Sequence, residues 1–395
     1  MRVLVANYHT SSVGGVESYL RGVLPALIES GLQVALLTRE AGDPGSNGVP
    51  VPGVEWLSIG NDSPEAVVDA AARWRPDVVY THGLGPPEYE SALIARFPTA
   101  MFMHNYGGLC ASGTKCHQYP AVEPCHRALG LGCLALWYPR RCGGLSPLGA
   151  VRKYRAEQTR LQSLKAAHAV LVASRHMADE IVRNGVPHDR VHHLPLFPTG
   201  ACPVPVPPAP RSLSGRVLFV GRITALKGWS HLLDALPRAA ARLGRRLTLV
   251  VAGDGPDREQ CEAEALHRGV ASEFLGWVDP SRRDAEMQRA DILAVPSVWP
   301  EPFGLVGIEA GRVGLPAVAY AVGGIPDWLD PGVSGESAPG ARPDPRELAD
   351  AMIRALCDPV HWQKLRVGAW EVARRFTLKS HLEQLIPILE AAAGR

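Results

Sequence analysis

Short apolar, β-rich runs alternate with amphipathic stretches: VLVAN (3–7), QVALLT (33–38), DVVYTH (77–82), TAMFMH (99–104) and AVLVAS (169–174). That alternation argues for parallel βαβ units. Between the first two runs, Val16, Leu20, Val23, Leu24, Leu27 and Ile28 recur at helical spacing, with Gly31 placed to close the helix. The register breaks at LFPTGACPVPVPPAPRSLSG (196–215), whose prolines fix extended backbone and cannot donate to a sheet. Beyond it the pattern resumes with RVLFVG (216–221), LTLVVAG (247–253), ADILAVPS (290–297) and PAVAYA (316–321). The expected organisation is an α/β domain over 1–200, a Pro-rich linker at 201–213, a second α/β domain over 214–377, and a C-terminal helix at 378–395 that packs back across the cleft. Two such domains facing each other place a cleft at the carboxyl ends of two sheets, where open α/β folds bind ligands.

Composition narrows the function classes. The chain has 395 residues, 46% of them hydrophobic, enough for two cores. Its 41 basic and 39 acidic residues leave a formal charge of +2, so the bulk charge calls for no nucleic acid. MRVLVANYH holds too short an apolar run for a signal peptide's core, and no stretch reaches the ~18 apolar residues of a spanning helix, so a cytoplasmic protein is expected. The eight cysteines then read as reduced thiols, with metal binding as the minority reading.

Three segments carry candidate chemistry. In VGRITALKG (220–228) a strand ends at Gly221, and Arg222 and Lys227 follow in a loop leading to a helix, an arrangement that suits a diphosphate. In SSVGGVES (11–18), Gly14 and Gly15 let backbone approach a ligand ahead of a helix. PEPFGLVGIEA (300–310) sets Glu301 and Glu309 on either side of a turn; with a helix starting near Phe303, the amides of Phe303, Gly304 and Leu305 are free donors and the two carboxylates reach different parts of one ligand. A carboxylate accepts two hydrogen bonds from vicinal hydroxyls, so the pair suits a nucleotide sugar.

Together with VGGIPDWLDPGVSG (322–335), these elements resemble the retaining glycosyltransferases of family four, over nearly the whole chain and in the family's order. The resemblance implies the GT-B fold, two Rossmann-like domains across a cleft, and a hexosyltransferase using a nucleotide-diphosphate sugar and an unidentified hydroxyl acceptor. It implies that Arg222 and Lys227 neutralise the donor diphosphate, Glu309 holds the ribose, Glu301 contacts the transferred sugar, and the 303–305 amides line the donor. His104, in MFMHNYGG, matches the family's histidine beside the reacting sugar, although Asn105 follows it where many members have an acid. FLGWVD (274–279) resembles the segment that meets the nucleobase, through Trp277 and Val278. A front-face mechanism is implied in which a departing phosphate oxygen takes the acceptor proton. No Asp-x-Asp occurs, and neither cofactor nor catalytic metal is expected. The alternatives are a nucleotide-sugar epimerase of the same fold and a binding subunit without turnover. A dehydrogenase fits less well, because Arg258 stands where the fingerprint begun by Gly253 and Gly255 needs its third glycine.

Two features stand apart. Cys110, Cys116, Cys125, Cys133 and Cys142 crowd one stretch with His117 and His126, without any Cys-x2-Cys pair. In 148–167, Val151, Tyr154, Leu161 and Leu164 form a helical stripe among Arg152, Lys153, Arg155, Arg160 and Lys165; the stripe is expected either to dock on an anionic membrane, helped by Trp137 and Tyr138, or to pack on its own domain.

Overall fold

The computed structural model describes residues 1–8, 14–39, 53–60, 63–198 and 206–394. The chain forms two compact units: Met1–Lys115, His126–Thr199 and Thr377–Arg395 make one, Cys116–Cys125 and Gly200–Phe376 the other. Of the Pro-rich segment, 201–205 lie outside the described residues, and the rest is tied to the second unit. There Arg211 pairs with Asp291 at 2.9 Å, and the Arg366 guanidinium donates to the Ala209 carbonyl.

The first unit carries β1 (Arg2–Asn7), β2 (Gln33–Thr38), β3 (Glu55–Ser58), β4 (Val78–Thr81) and β5 (Thr99–Met103). After a hairpin of β6 (Cys116–His117) and β7 (Glu123–Pro124), which counts with the second unit, come β8 (Ala169–Val172) and β9 (Val191–His193). Its sheet runs β3-β2-β1-β4-β5-β8-β9, all parallel. The helices are α1 (Gly15–Glu29), α2 (Pro64–Trp74), α3 (Pro87–Arg96), α4 (Gly132–Ala135), α5 (Pro147–Ala166) and α6 (Arg175–Arg183).

The second unit's sheet uses β10 (Arg216–Val220), β11 (Thr248–Ala252), β12 (Ser272–Gly276), β13 (Ile292–Val295), β14 (Ala317–Tyr320) and β15 (Gly335–Ala338), ordered β12-β11-β10-β13-β14-β15 and again parallel. Its helices are α7 (Trp229–Leu243), α8 (Arg258–His267), α9 (Pro280–Arg289), α10 (Leu305–Gly311), α11 (Pro345–Leu356) and α12 (Pro359–Ala373). In both sheets the order reverses beside the first strand, at β1/β4 and β10/β13, the switch points where doubly wound folds hold ligands. The central strands are apolar throughout because helices cover both faces: Leu4, Val5, Val79, Leu171, Leu218 and Leu293 are fully buried.

The last helix, α13 (Leu378–Ala392), packs within the first unit against α1, β4 and β5. Its His381 reaches the core, donating Nδ1–H to the Pro195 carbonyl at 2.8 Å and accepting the Tyr19 hydroxyl at 2.8 Å on Nε2.

The α5 stripe also packs inward. Tyr154, Leu161 and Leu164 are buried and Val151 half-buried, so the stripe itself offers nothing to a membrane. Trp137, expected to support such a contact, is buried with its Nε1–H donated to the Gly144 carbonyl at 2.8 Å. Among the described residues no helix is long and apolar enough to cross a membrane, and no group of three or more His, Cys, Asp and Glu side chains is placed to hold a metal ion. Cys110, Cys116, Cys125, Cys133 and Cys142 form no disulfide among the described residues. The Cys-rich segment is anchored instead by Lys115 and Glu180, each 1% exposed and paired at 2.7 Å.

Candidate donor site and histidine cluster

In the second unit, four of the sequence candidates stand at neighbouring strand ends. The loop after β10 carries Arg222 and Lys227, and the loop after β13 carries Glu301 and leads to Glu309 in α10. Strands β10 and β13 pair in the sheet, which is why residues more than seventy positions apart in sequence can meet. Lys227 Nζ lies 2.6 Å from Glu301 Oε1, which also accepts the Ser297 hydroxyl at 2.5 Å.

Two glycines make this contact possible. At Gly228 (φ 70°) a Cβ would fall 1.9 Å from the Pro296 carbonyl oxygen, so only glycine lets the Lys227 loop lie against the β13 loop. At Gly323 (φ 56°) a Cβ would meet the Glu301 backbone at 2.3 Å, and the adjacent Gly324 amide donates to the Glu301 carbonyl at 2.7 Å.

Arg222 is exposed and has no hydrogen-bond or ionic partner among the described residues. The Arg222 loop rests on the β11 turn, where the Ile223 amide donates to the Asp254 carbonyl at 2.8 Å. Gly253 and Gly255 are explained by that packing, since a Cβ on either would strike the backbone of Gly221 or Ile223.

Glu309 is 8% exposed, and its Oε1 accepts Arg283 Nη1 at 3.2 Å. Burial pushes its pKa up, against the opposing pull of Arg283. Arg283, on α9, is the site residue that sequence reasoning missed; nothing in the spacing of SRRDAEMQRAD points it toward α10 rather than solvent. Both glutamates thus engage Oε1 and leave Oε2 without a partner among the described residues.

The helix begins later than the spacing suggests. Gly304 is its N-cap, in the left-handed region at φ 81°, and α10 starts at Leu305, so Phe303 and Gly304 lie outside it. Phe303 is buried, its carbonyl taking the Trp328 indole N–H at 2.6 Å. The amides of Phe303, Gly304 and Leu305 have no acceptor among the described residues. Trp277 follows β12 and is 67% exposed, with Val278 half-buried beside it.

His104 and the glycine pair belong to the first unit. Gly14 caps α1 and Gly15 opens it; a Cβ at Gly14 would collide with the Glu17 carboxylate, while at Gly15 it would meet nothing within 4 Å. Residues 11–13 of that motif lie outside the described residues.

His104 follows β5, and its Nε2 lies 2.8 Å from Nδ1 of His82, which follows β4. Asn105 turns away to accept the Gly107 amide at 2.8 Å, so His82 replaces the expected acid as the orienting partner. Tyr19, Tyr80 and Phe102 pack on the pair, with Phe102 stacked on His104 at 4.5 Å between centroids, and Phe197 and His381 pack on Tyr19 in turn. Burial, then the proximity of His381, pushes the His104 pKa down to about 3; His82 is held well below its ordinary value for the same first reason. Both rings are therefore neutral near pH 7.

One proton is shared between these two nitrogens, and the far side of His82 decides its place. His82 Nε2 is buried without a partner among the described residues. An orphaned buried N–H is rarer in proteins than an under-used acceptor, so Nε2 keeps its lone pair and Nδ1–H donates to His104. His104 then carries its own proton on Nδ1, which has no partner among the described residues and remains open to solvent.

Residues 14–196 match the glycosyl transferase 4-like domain, and residues 212–374 match glycosyl transferases group 1. A 2-deoxystreptamine glucosyltransferase of Streptomyces kanamyceticus is 37% identical over 164 residues, 40% of this chain and 41% of that protein. A D-inositol 3-phosphate glycosyltransferase of Xylanimonas cellulosilytica is 34% identical over 258 residues, 59% of each chain. The matches span less than two thirds of either relative. Anabaena HepE, solved in complex with UDP and glucose, is 18% identical with a TM-score of 0.67 over 99% of this chain and 100% of that one, a likeness of fold. With one family match on each half and the GT-B architecture throughout, the chain belongs to the group 1 glycosyl transferases.

Proposed function

We propose that the chain is a retaining glycosyltransferase that moves a sugar from a nucleoside-diphosphate sugar to a hydroxyl acceptor without a metal ion. The observation that carries this reading is the Lys227–Glu301 pair beside the β10/β13 switch point, on the two loops that also carry Arg222 and lead to Glu309. Arg222, exposed and unpaired among the described residues, and Lys227 supply two positive charges for the diphosphate as its bond to the sugar breaks. Glu309 Oε2 accepts ribose hydroxyls, Glu301 Oε2 a hydroxyl of the transferred sugar, and Trp277 with Val278 borders the base. The amides of Phe303, Gly304 and Leu305 line the donor, with Gly14 and Gly15 giving it close backbone approach. His104 donates from Nδ1 to a sugar hydroxyl or phosphate oxygen. The acceptor oxygen attacks the anomeric carbon on the face from which the phosphate departs, and the departing oxygen takes the acceptor's proton. Both relatives above are named for six-membered carbocyclic polyols, so cyclitols head the acceptor panel.

Calorimetry with a panel of nucleoside diphosphates and their sugars, in chelator, tests the donor site. The expected outcome is micromolar binding of one nucleotide family, lost in Arg222→Ala/Lys227→Ala. No binding by the wild type, or undiminished binding by the variant, overturns the reading. Proton NMR of the product's anomeric configuration then tests retention.

A further inference from the structure

The buried α5 stripe leaves a different surface in view. Leu131, Tyr138, Leu145 and Leu148 are 76%, 44%, 89% and 81% exposed, four large apolar side chains within eighteen residues of sequence. Helical spacing and one hydrogen bond relate them. Leu131, Ala135 and Tyr138 are all exposed at i, i+4 and i+7 along the helical run of α4 and its extension. Tyr138 Oη donates to the Leu145 carbonyl at 3.2 Å, bringing the ring beside Leu145. Ser146 caps α5, so Leu148 sits in its first turn, and Arg152 and Arg155 follow at i+4 and i+7 on the same exposed face.

Charge singles out the partner. No Asp or Glu occurs between Glu123 and Glu157, and Arg127, Arg140, Arg141, Arg152, Lys153 and Arg155 all fall in that interval. Arg152, Lys153 and Arg155 are exposed, and their side chains have no partner among the described residues. Nucleic acid would use the cations but leave four aliphatic and aromatic side chains wet. An apolar protein partner would use the side chains but has no need of an acid-free surround. A bilayer with anionic headgroups uses both, because leucines enter the acyl boundary while arginines remain at the phosphates.

We infer that the strip Leu131–Tyr138–Leu145–Leu148, with Arg152, Lys153 and Arg155, is a docking surface for an anionic phospholipid membrane. The surface lies wholly in the first unit and does not depend on the donor reading.

Sedimentation of the full chain with phosphatidylcholine vesicles, with and without one third phosphatidylglycerol, tests it. Binding is expected to the anionic vesicles alone. It should weaken on the order of tenfold or more in Leu145→Ser/Leu148→Ser and in Arg152→Gln/Lys153→Gln/Arg155→Gln, since stable attachment takes both signals. All five side chains are exposed, and unchanged near-ultraviolet circular dichroism establishes that the variants fold. Failure of the wild type to bind anionic vesicles overturns the inference. So does full binding by the leucine variant, which would mark a surface for soluble polyanions.

Discussion

Acid should unfold the first unit well before the second. Five of the first unit's histidines have depressed pKa values, His82, His104, His176, His192 and His381, chiefly through burial; in the second unit His231 does. A depressed folded-state value means that the unfolded chain binds more protons, so stability is complete above the ordinary value of 6.5 and falls as pH drops below it. For His381, whose pKa falls to about 4, the loss ends near that pH and totals about 3 kcal/mol. At pH 5 a ring kept neutral in the fold costs about 2 kcal/mol relative to the unfolded chain, against about 0.2 at pH 7. His104 and His381 together thus remove roughly 4 kcal/mol between pH 7 and pH 5, near the lower end of a domain's whole stability, and His82 acts in the same direction.

Hydrogen exchange read by mass spectrometry, corrected for the intrinsic pH dependence, resolves the two units in one experiment. The slowest amides of β1, β4 and β5 should lose several kcal/mol of protection between pH 7 and pH 5, and those of β10, β11 and β13 much less. His381→Phe should be less stable at pH 7, having lost the bonds to Tyr19 and the Pro195 carbonyl, yet show a shallower pH slope. Equal losses in both units, or an unchanged slope in the variant, would refute the reasoning.

Three other perturbations have definite outcomes. Lys115→Met leaves the Glu180 carboxylate buried with the more exposed Arg183 as its remaining ionic partner, and should cost about 3 to 5 kcal/mol by denaturant titration; Lys115→Met/Glu180→Gln should recover part of that. Gly307→Val places a Cβ 2.1 Å from the Trp328 ring and should cost about 1 to 3 kcal/mol, visible as a lower urea midpoint. His82→Phe removes the hydrogen bond that sets the His104 tautomer, worth about 1 kcal/mol, so turnover should fall roughly five- to tenfold with nucleotide affinity unchanged; nitrogen-15 shifts of His104 would show the Nδ1 proton lost as the dominant form.

The fold was legible where burial is two-sided. Strands such as QVALLT and TAMFMH are apolar on consecutive positions because helices cover both sheet faces, so they stand out without any alternation. The edge strands β3 and β9 escaped notice, being half-exposed, with Glu55 and Ser58 bounding one and two histidines ending the other. The start of α10 was misplaced because Gly304 uses its freedom to turn left-handed, a choice that composition does not reveal. The His82–His104 bond had one usable signal: each residue directly follows a strand, and the strands pair. His381 had none, since only folding brings residues 19 and 381 together.

The donor-site residues were legible individually, but their coupling was not. Sequence reasoning assigns Lys227 to the phosphate and Glu301 to the sugar as separate contacts, whereas they form one ion pair at 2.6 Å with the Glu301 side chain 8% exposed. Removing Lys227 therefore deletes a phosphate contact and also leaves Glu301 with Ser297 as its remaining side-chain partner, a penalty that a single-variant assay would credit to the phosphate. A double-mutant cycle with Lys227→Ala and Glu301→Gln separates the two, because the neutral amide needs no cation. If the pair persists with donor bound, the two losses in kcat/KM should be less than additive by about 1 kcal/mol or more. Additivity within about 0.3 to 0.5 kcal/mol would mean that the lysine leaves the glutamate when the diphosphate arrives, and each residue would then have a separable role.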